Sequence, residues 1–552
     1  MCVGLSAIVV RSEYGHRAWS SGTTWRGAFL LWIDGVEEGW GIPLLIAGLV
    51  ALSMAYFAVA YIQGDLHQDV IETWSLGRSF EWGSSKHPPL MAWAARAWTT
   101  VFPLTNWSFN LLAMTNSAIG LWFTDRIARQ FVRGDKRLTV LLLLLVLPIY
   151  QLHAQRFNAN AVLLSTWPLA TFCFLRSFQT RRTRWAIAAG ATAALAMLGK
   201  YYSIFLIGSF AVAALCHGQR KDYFSSRAPW IAAATGLAVL TPHIYWLATT
   251  GAQPFSYALE RHSGKAPVAA LVEAIGFVLA MGGLIAIPGL IWLMMARPRP
   301  SRLLDDIFGL DARLRLLLSI GIGTVAFPAL TSAIFGTDMP PLWGLQGIFL
   351  FVIVIVCGAT YRVPRERTVN LAATVVAIGA LATLVVAPLH AVYRNSFPLH
   401  EGRNFYQPAV AELTRQWHAT SDTALPAVGG DEGLAFAAAF YSPDHPVFQT
   451  ELVHPNELKL PDGAGFSEGW AALCYDNDAS CISGMDAAAA RTKHAIRSTF
   501  SLTTSLFGWE GASQGFVALI VPPATDEAPQ PEASHGIAED LSSQRRSRPM
   551  LN

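Results

Sequence analysis

Long apolar runs dominate the chain, and every second polar segment between them is rich in Arg and Lys. A hydrocarbon core about 30 Å thick takes roughly 20 apolar residues as helix. Only a helix or a closed barrel satisfies its own backbone there. The runs predict spans near 42–62, 107–127, 138–153, 160–175, 185–200, 202–216, 229–248, 268–295, 313–334, 343–360 and 370–390, about eleven in all. The pair 185–200 and 202–216 also reads as one bent element. Residues 391–523 lose this pattern. VAELTRQWHA has helical spacing, LPAVGGDE and GFVALIVPP read as strands ending in turns, and FYSPDHPVF is a turn-rich connector. The expected fold is an all-α polytopic membrane protein with a small mixed α/β C-terminal domain.

Charge orients the spans. Arg126, Arg129, Arg133, Lys136 and Arg137 share one polar segment; Arg176, Arg181, Arg182 and Arg184 share another. Arg220, Lys221 and Arg227, then Arg297, Arg299 and Arg302, then Arg362, Arg365 and Arg367 continue the alternation. The positive-inside rule makes these segments cytoplasmic. Residues 1–40 are then a cytoplasmic segment, carrying Arg11, Arg17 and Arg26 but no clean apolar core before a cleavage site. Residues 41–390 form the transmembrane domain, with outer loops at 63–106, 154–159, 249–267 and 335–342. Residues 391–523 are an outer soluble domain. Residues 524–552, rich in Pro, Glu, Ser and Arg, read as disordered.

Composition agrees with a lipid-facing surface. Charged residues are 14% of the chain, against about 25% in soluble domains. The 19 Trp and 30 Phe suit two lipid–water interfaces. No basic stripe points to nucleic acid, and no Walker or Rossmann glycine loop is present. Cys474 and Cys481 lie in the outer region, where an oxidising compartment would allow a disulfide.

The candidate chemistry sits in the outer loops. Residues 64–90 read GDLHQDVIETWSLGRSFEWGSSKHPPL. HQDVIETWSLGRSF predicts an amphipathic helix laying Val70, Ile71, Trp74 and Phe80 into the interface. Asp65 and Asp69 are four apart, and Asp69 and Glu72 three apart, which puts them on one helical face. Paired carboxylates can raise one another's pKa and supply a base; the bland alternative is a solvated interfacial helix. Lys86 and His87 are pinned by Pro88 and Pro89, which suits a phosphate headgroup; the alternative is a snorkelling lysine. In the second outer loop, Asn158 and Asn160 can bind sugar hydroxyls or cap the following helix. Lys200, with Tyr201 and Tyr202, stands near the outer end of an apolar run, where an ionisable group is costly. Arg261, His262 and Lys265 place cations in the third outer loop. Asp338 and Trp343 read as a turn and an interfacial ring. Asp65, His67 and Asp69 are close enough in sequence to raise the question of a divalent metal, but neither metal nor cofactor is expected.

Asp69, Glu72, Trp74–Ser75, Trp82–Gly83 and KHPPL resemble the first outer loop of ArnT-like and protein-mannosyltransferase-like glycosyltransferases of the GT-C fold. The resemblance continues in RFNANAVLLSTWPLA, LGKYYS and PHIYWL, spanning residues 42–350, and more weakly in GD…FYSPDHP. It implies a bacterial inner-membrane enzyme with a periplasmic C-terminal domain. It implies a polyprenyl-phosphate-linked sugar donor and an envelope glycolipid, glycan or protein as acceptor, with inversion at the anomeric centre. It makes Asp69, with Glu72, the catalytic candidate. Lys86, and less securely Arg261, become donor-phosphate contacts. Asp65, His87, Asn158, Asn160, Lys200 and Tyr201 complete the candidate substrate-binding set. Two departures stand out. Val70 follows Asp69 where many relatives have adjacent Asp-Glu, and Asn158 and Asn160 stand where many carry an acid. The competing class is a secondary transporter or lipid flippase, which usually places its ionisable groups at mid-bilayer and often shows internal repeats. The candidate residues here sit at loop ends, and the sequence shows no internal repeat.

Overall fold

The computed structural model describes residues 24–256, 264–361, 363–398, 405–449, 468–492 and 494–523. The N-terminal residues 1–23, Arg261, His262 and the tail 524–552 lie outside the described residues.

Helix α1 (Trp25–Glu38) ends in Gly39 with φ of 99° and leads into α2 (Gly41–Ala60), the first membrane-length helix. The first outer loop folds into two short helices, α3 (Gln68–Gly77) and α4 (Leu90–Thr99), packed on each other. α5 (Asn106–Ala128) returns across the body. α6 (Asp135–Leu145) is followed, 68° off its axis, by the segment Pro148–Gln155. Pro148 lacks the N–H that would continue the ladder.

Each expected run is helical, but six helices among the described residues are both long and apolar enough to cross a membrane, or seven counting the bent pair. They are Gly41–Ala60, Ala228–Thr249, Pro267–Ala296, Ala312–Phe335, Pro341–Gly358 and Arg365–Ser396. The others fall short by length or apolarity. α5 has 23 residues, but Asn116, Ser117, Thr124 and Asp125 are buried along it. These polar residues face protein rather than lipid. The stretch that allowed one bent element resolves into two helices, Thr183–Gly199 and Ile204–Cys216, joined by a tight turn over Tyr201–Ser203. The first packs on Ala228–Thr249 and the second on Ala312–Phe335.

The C-terminal region holds a five-stranded sheet in the order β2-β1-β3-β5-β4. β1 is Ala427–Gly430, β2 Val447–Phe448, β3 Trp470–Tyr475, β4 Ile496–Leu506 and β5 Trp509–Val521. β1 runs parallel to β2 and β3; β5 is antiparallel to β3 and β4. VAELTRQWHA lies in the helix Tyr406–His418, LPAVGGDE supplies β1, and GFVALIVPP supplies the end of β5. Gly430, at φ of 104°, lies so near the Leu473 backbone that a Cβ would collide with it. A glycine is needed there for β1 to hug β3 and then turn. Cys474 and Cys481 form a disulfide, with Cα atoms 5.9 Å apart, joining β3 to the helix Ala479–Ala489.

The helix Glu432–Tyr441 is buried along most of its length because it is covered on both sides. The sheet contacts one face and α3 the other. Phe440 meets Trp74 edge-on at 5.5 Å and Phe109 at 5.2 Å. That contact corrects the expected interfacial placement of α3. Val70 and Ile71 are buried inside the protein, and Trp74 packs under the outer domain. Phe80 alone of the four stays largely exposed, stacked on Trp93. The first outer loop is therefore sandwiched between the membrane body and the sheet domain.

Candidate active site

α3 begins later than the acidic spacing implies. His67 is its N-cap, and its Nδ1 accepts the Asp69 N–H at 3.1 Å. Asp65 therefore precedes the helix, and its carboxylate does not join Asp69 and Glu72. It accepts the Tyr406 N–H at 2.7 Å and the Gln407 side-chain amide at 2.8 Å. Burial pushes its pKa up to about 7, against those hydrogen bonds. Asp65 thereby ties the first loop to the sheet domain.

Asp69 occupies the first turn of α3, where the helix dipole favours a carboxylate. Its side chain is 45% exposed, and its Oδ2 accepts from Asn158 Nδ2 at 3.0 Å. His67 Nδ1 lies 3.5 Å from its Oδ1. Burial raises the carboxyl pKa, but the neighbouring His67, the Asn158 hydrogen bond and the Arg156 charge outweigh it and lower it to about 2. The capping reading of Asn158 is realised in the geometry. Its Oδ1 accepts the Asn160 and Ala161 N–H groups at 2.9 Å each, capping the next segment, while its amide is aimed at Asp69.

The KHPPL turn is closed by Ser84, whose Oγ accepts the His87 N–H at 3.0 Å. Lys86 lies 3.5 Å from Glu72 Oε1 and also pairs with Glu432, the first residue of the outer-domain helix. Burial drives Glu72 up to about 7; Lys86 opposes this, while Glu432 and Asp69 add to it. Glu72 thus senses both Lys86 and Asp69. Burial, with Lys200 and Lys86 nearby, lowers His87 to about 4. The imidazole is neutral at ordinary pH and adds no second cation. Lys200 donates to Asn160 Oδ1 and sits 4.6 Å over the Trp343 ring. Asn160 is therefore committed to a lysine rather than to Asp69.

Tyr201 stands one layer away. Its hydroxyl meets His243 Nε2 at 2.9 Å, and His243 Nδ1 meets the Trp82 carbonyl at 2.5 Å. Gly83 beside it lies under Trp246; a Cβ would come within 2.5 Å of that ring. This chain of contacts braces the first loop against the helix Ala228–Thr249. Lys265 pairs with Glu273 at 2.9 Å and with Asp338, which joins two outer loops. Asp338 is thus an ion-pair partner as well as a turn residue.

A small cavity bounded by Gly64, Asp65, His67, Asn106 and Arg156 adjoins this cluster. Gln155 lines it and also lines an apolar groove of about 490 Å³ between α1, α2 and Arg365–Ser396. Among the described residues, no three His, Cys, Asp or Glu side chains converge as a metal would require. The turn of Asp65 toward Tyr406 separates the trio Asp65, His67 and Asp69. Glu432 was not anticipated as a site residue. Its signal was the acidic pair Asp431–Glu432 just after a strand, at the carboxyl end of a parallel pair, where α/β sheets gather functional groups.

The helical membrane body, the folded first outer loop and the α/β cap define a polytopic membrane protein of the GT-C glycosyltransferase fold. Residues 86–246 match the family described as dolichyl-phosphate-mannose-protein mannosyltransferase, a stretch that opens on Lys86 and closes on Trp246. ArnT from Cupriavidus metallidurans bound to undecaprenyl phosphate is similar in structure, with a TM-score of 0.52 and 16% identity over 87% of this chain and 98% of that one. The apo state of the same protein gives a TM-score of 0.50 and 14% identity over the same shares. No curated protein sequence matches. The chain thus shares the GT-C fold of ArnT, and its residues 86–246 resemble the protein-mannosyltransferase family.

Proposed function

We propose that this protein moves a sugar from a polyprenyl-phosphate donor to an envelope acceptor on the non-cytoplasmic face, with inversion. The observation that carries the reading is the first outer loop itself. It presents an ionised, accessible Asp69 and, paired with Glu72 three residues further along the same helix, a lysine followed by a turn and two prolines. The likeness to a GT-C protein whose structure holds undecaprenyl phosphate supports the donor class.

The chemistry follows from those positions. The bond between the anomeric carbon and the phosphate oxygen breaks while an acceptor oxygen attacks the opposite face. Lys86 neutralises the departing phosphate, a preorganised charge aimed at where negative charge develops. Asp69 orients the acceptor hydroxyl and takes its proton as the new bond forms. Geometry ranks Asp69 above Glu72 as base: Glu72 is only 10% exposed and faces Lys86, whereas Asp69 is open. Asn158 holds the Asp69 carboxylate in place, and Lys200 with Asn160 supports the donor side. His87 fills the turn as a neutral ring. The partners are a lipid-linked sugar, an envelope acceptor and the bilayer; nucleic acid is not among them.

Lys86→Ala should raise the apparent KM for a polyprenyl-phosphate sugar about 10- to 100-fold, the worth of one hydrogen bond to a charged group. Steady-state transfer assays in detergent check this, and an unchanged KM would remove Lys86 from phosphate binding. Orientation is a separate matter. We place the N-terminal segment in the cytoplasm and the sheet domain in the periplasm of a bacterial inner membrane. Reporter fusions after Thr180 and Thr420 should then report opposite sides, and agreement between them would contradict the topology.

A further inference from the structure

The lysine assigned to the donor phosphate is already paired in this structure, and one of its carboxylate partners comes from a different domain. Glu72 lies on α3, 10% exposed, in the same loop as Lys86. Glu432 opens the helix Glu432–Tyr441, is 40% exposed, and reaches Lys86 across the seam between the outer domain and the first loop. Asp431 caps that helix by accepting the Leu434 N–H at 2.9 Å, which fixes the position of Glu432. The helix N-terminus also favours its negative charge.

A phosphate anion and a carboxylate compete for the same ammonium. Glu72 is only 10% exposed, packed within the first loop. Glu432 is the more exposed of the two and needs only a rotamer change, or a small shift of the outer-domain helix, to withdraw. We propose that Glu432 is a specificity-determining gate on the donor-phosphate site: it occupies Lys86 in the empty enzyme and yields it only to a lipid-linked phosphate. Neutral polyprenols, and anions too weakly held to displace it, leave the gate shut. Because Glu432 belongs to the outer domain, its release also signals donor occupancy to the element that covers the site. Phe440, on the same helix, packs on Trp74 of α3, so motion at one end is transmitted through packed side chains.

The inference rests on the reading of Lys86 as a phosphate contact, and the test separates the two. Undecaprenyl phosphate binding is measured on the full-length protein for wild type, Glu432→Gln, Lys86→Met and the double variant. A gate predicts that Glu432→Gln binds about fivefold tighter, the value of losing one partly exposed competing ion pair. It also predicts that this gain vanishes in the Lys86→Met background. A gain that persists without Lys86 would be a general field effect and would overturn the gate. Unchanged or weaker binding by Glu432→Gln would overturn it as well. If Lys86→Met binds as tightly as wild type, the phosphate reading fails first.

Discussion

Asp69→Asn is expected to cut kcat for sugar transfer by about 10²- to 10⁴-fold, the range for loss of a positioned general base. Binding of the lipid donor should change little, because Asn keeps the shape and Asn158 still has a partner oxygen. The amide cannot take the acceptor's proton, so the loss belongs in kcat rather than KM. The pH profile sharpens this expectation. With its pKa lowered to about 2, Asp69 is ionised throughout the working range and contributes no acid limb there. Glu72, raised to about 7, titrates within that range. Any inflection near neutral pH should therefore disappear in Glu72→Gln and survive in the residual activity of Asp69→Asn. Full activity in Asp69→Asn, measured with the same membrane insertion as wild type, would remove Asp69 from the mechanism.

The largest effect on stability is expected at the opposite end of the molecule. Arg137 donates through Nε and Nη2 to the two oxygens of Asp125, at 3.0 and 2.8 Å, and through Nη1 to the Val36 carbonyl at 3.3 Å. The side chains are 7% and 3% exposed. The fork locks α5 to α6 and both to the end of α1. Asp125→Ala leaves the buried guanidinium only the more distant and exposed Glu37, at 3.8 Å, as counter-charge, which costs about 3 kcal/mol. Thermal or denaturant unfolding in detergent should show this loss. The double change Asp125→Leu with Arg137→Met should recover most of it, because the penalty arises from the uncompensated charge. A single variant as stable as wild type would contradict this account of the pair.

Much of the membrane body could be read from apolar runs, since the need for about 20 apolar residues per span is a strong constraint. α5 shows where that reading weakens. A helix that buries Asn116, Thr124 and Asp125 against neighbours is less apolar than one facing lipid, though it is as long. The chemistry of the first loop was legible as residue types but not as partnerships. Asp69 and Glu72 were visible as carboxylates on one face. That Asp65 leaves this face for Tyr406 depends on a contact across 341 residues. Asn158 meets Asp69 across 89 residues and Glu432 meets Lys86 across 346, distances at which local spacing carries no information. The same blindness explains the misplacement of Val70 and Ile71. An amphipathic helix shows that it has an apolar face, and only the tertiary fold decides whether lipid or protein covers it.

Purified protein given a radiolabelled undecaprenyl-phosphate sugar and a cell-envelope extract should release undecaprenyl phosphate and label an envelope component, and the Asp69→Asn variant should not. Protein that transfers no sugar under these conditions, yet moves a solute or lipid across sealed vesicles, would contradict the account.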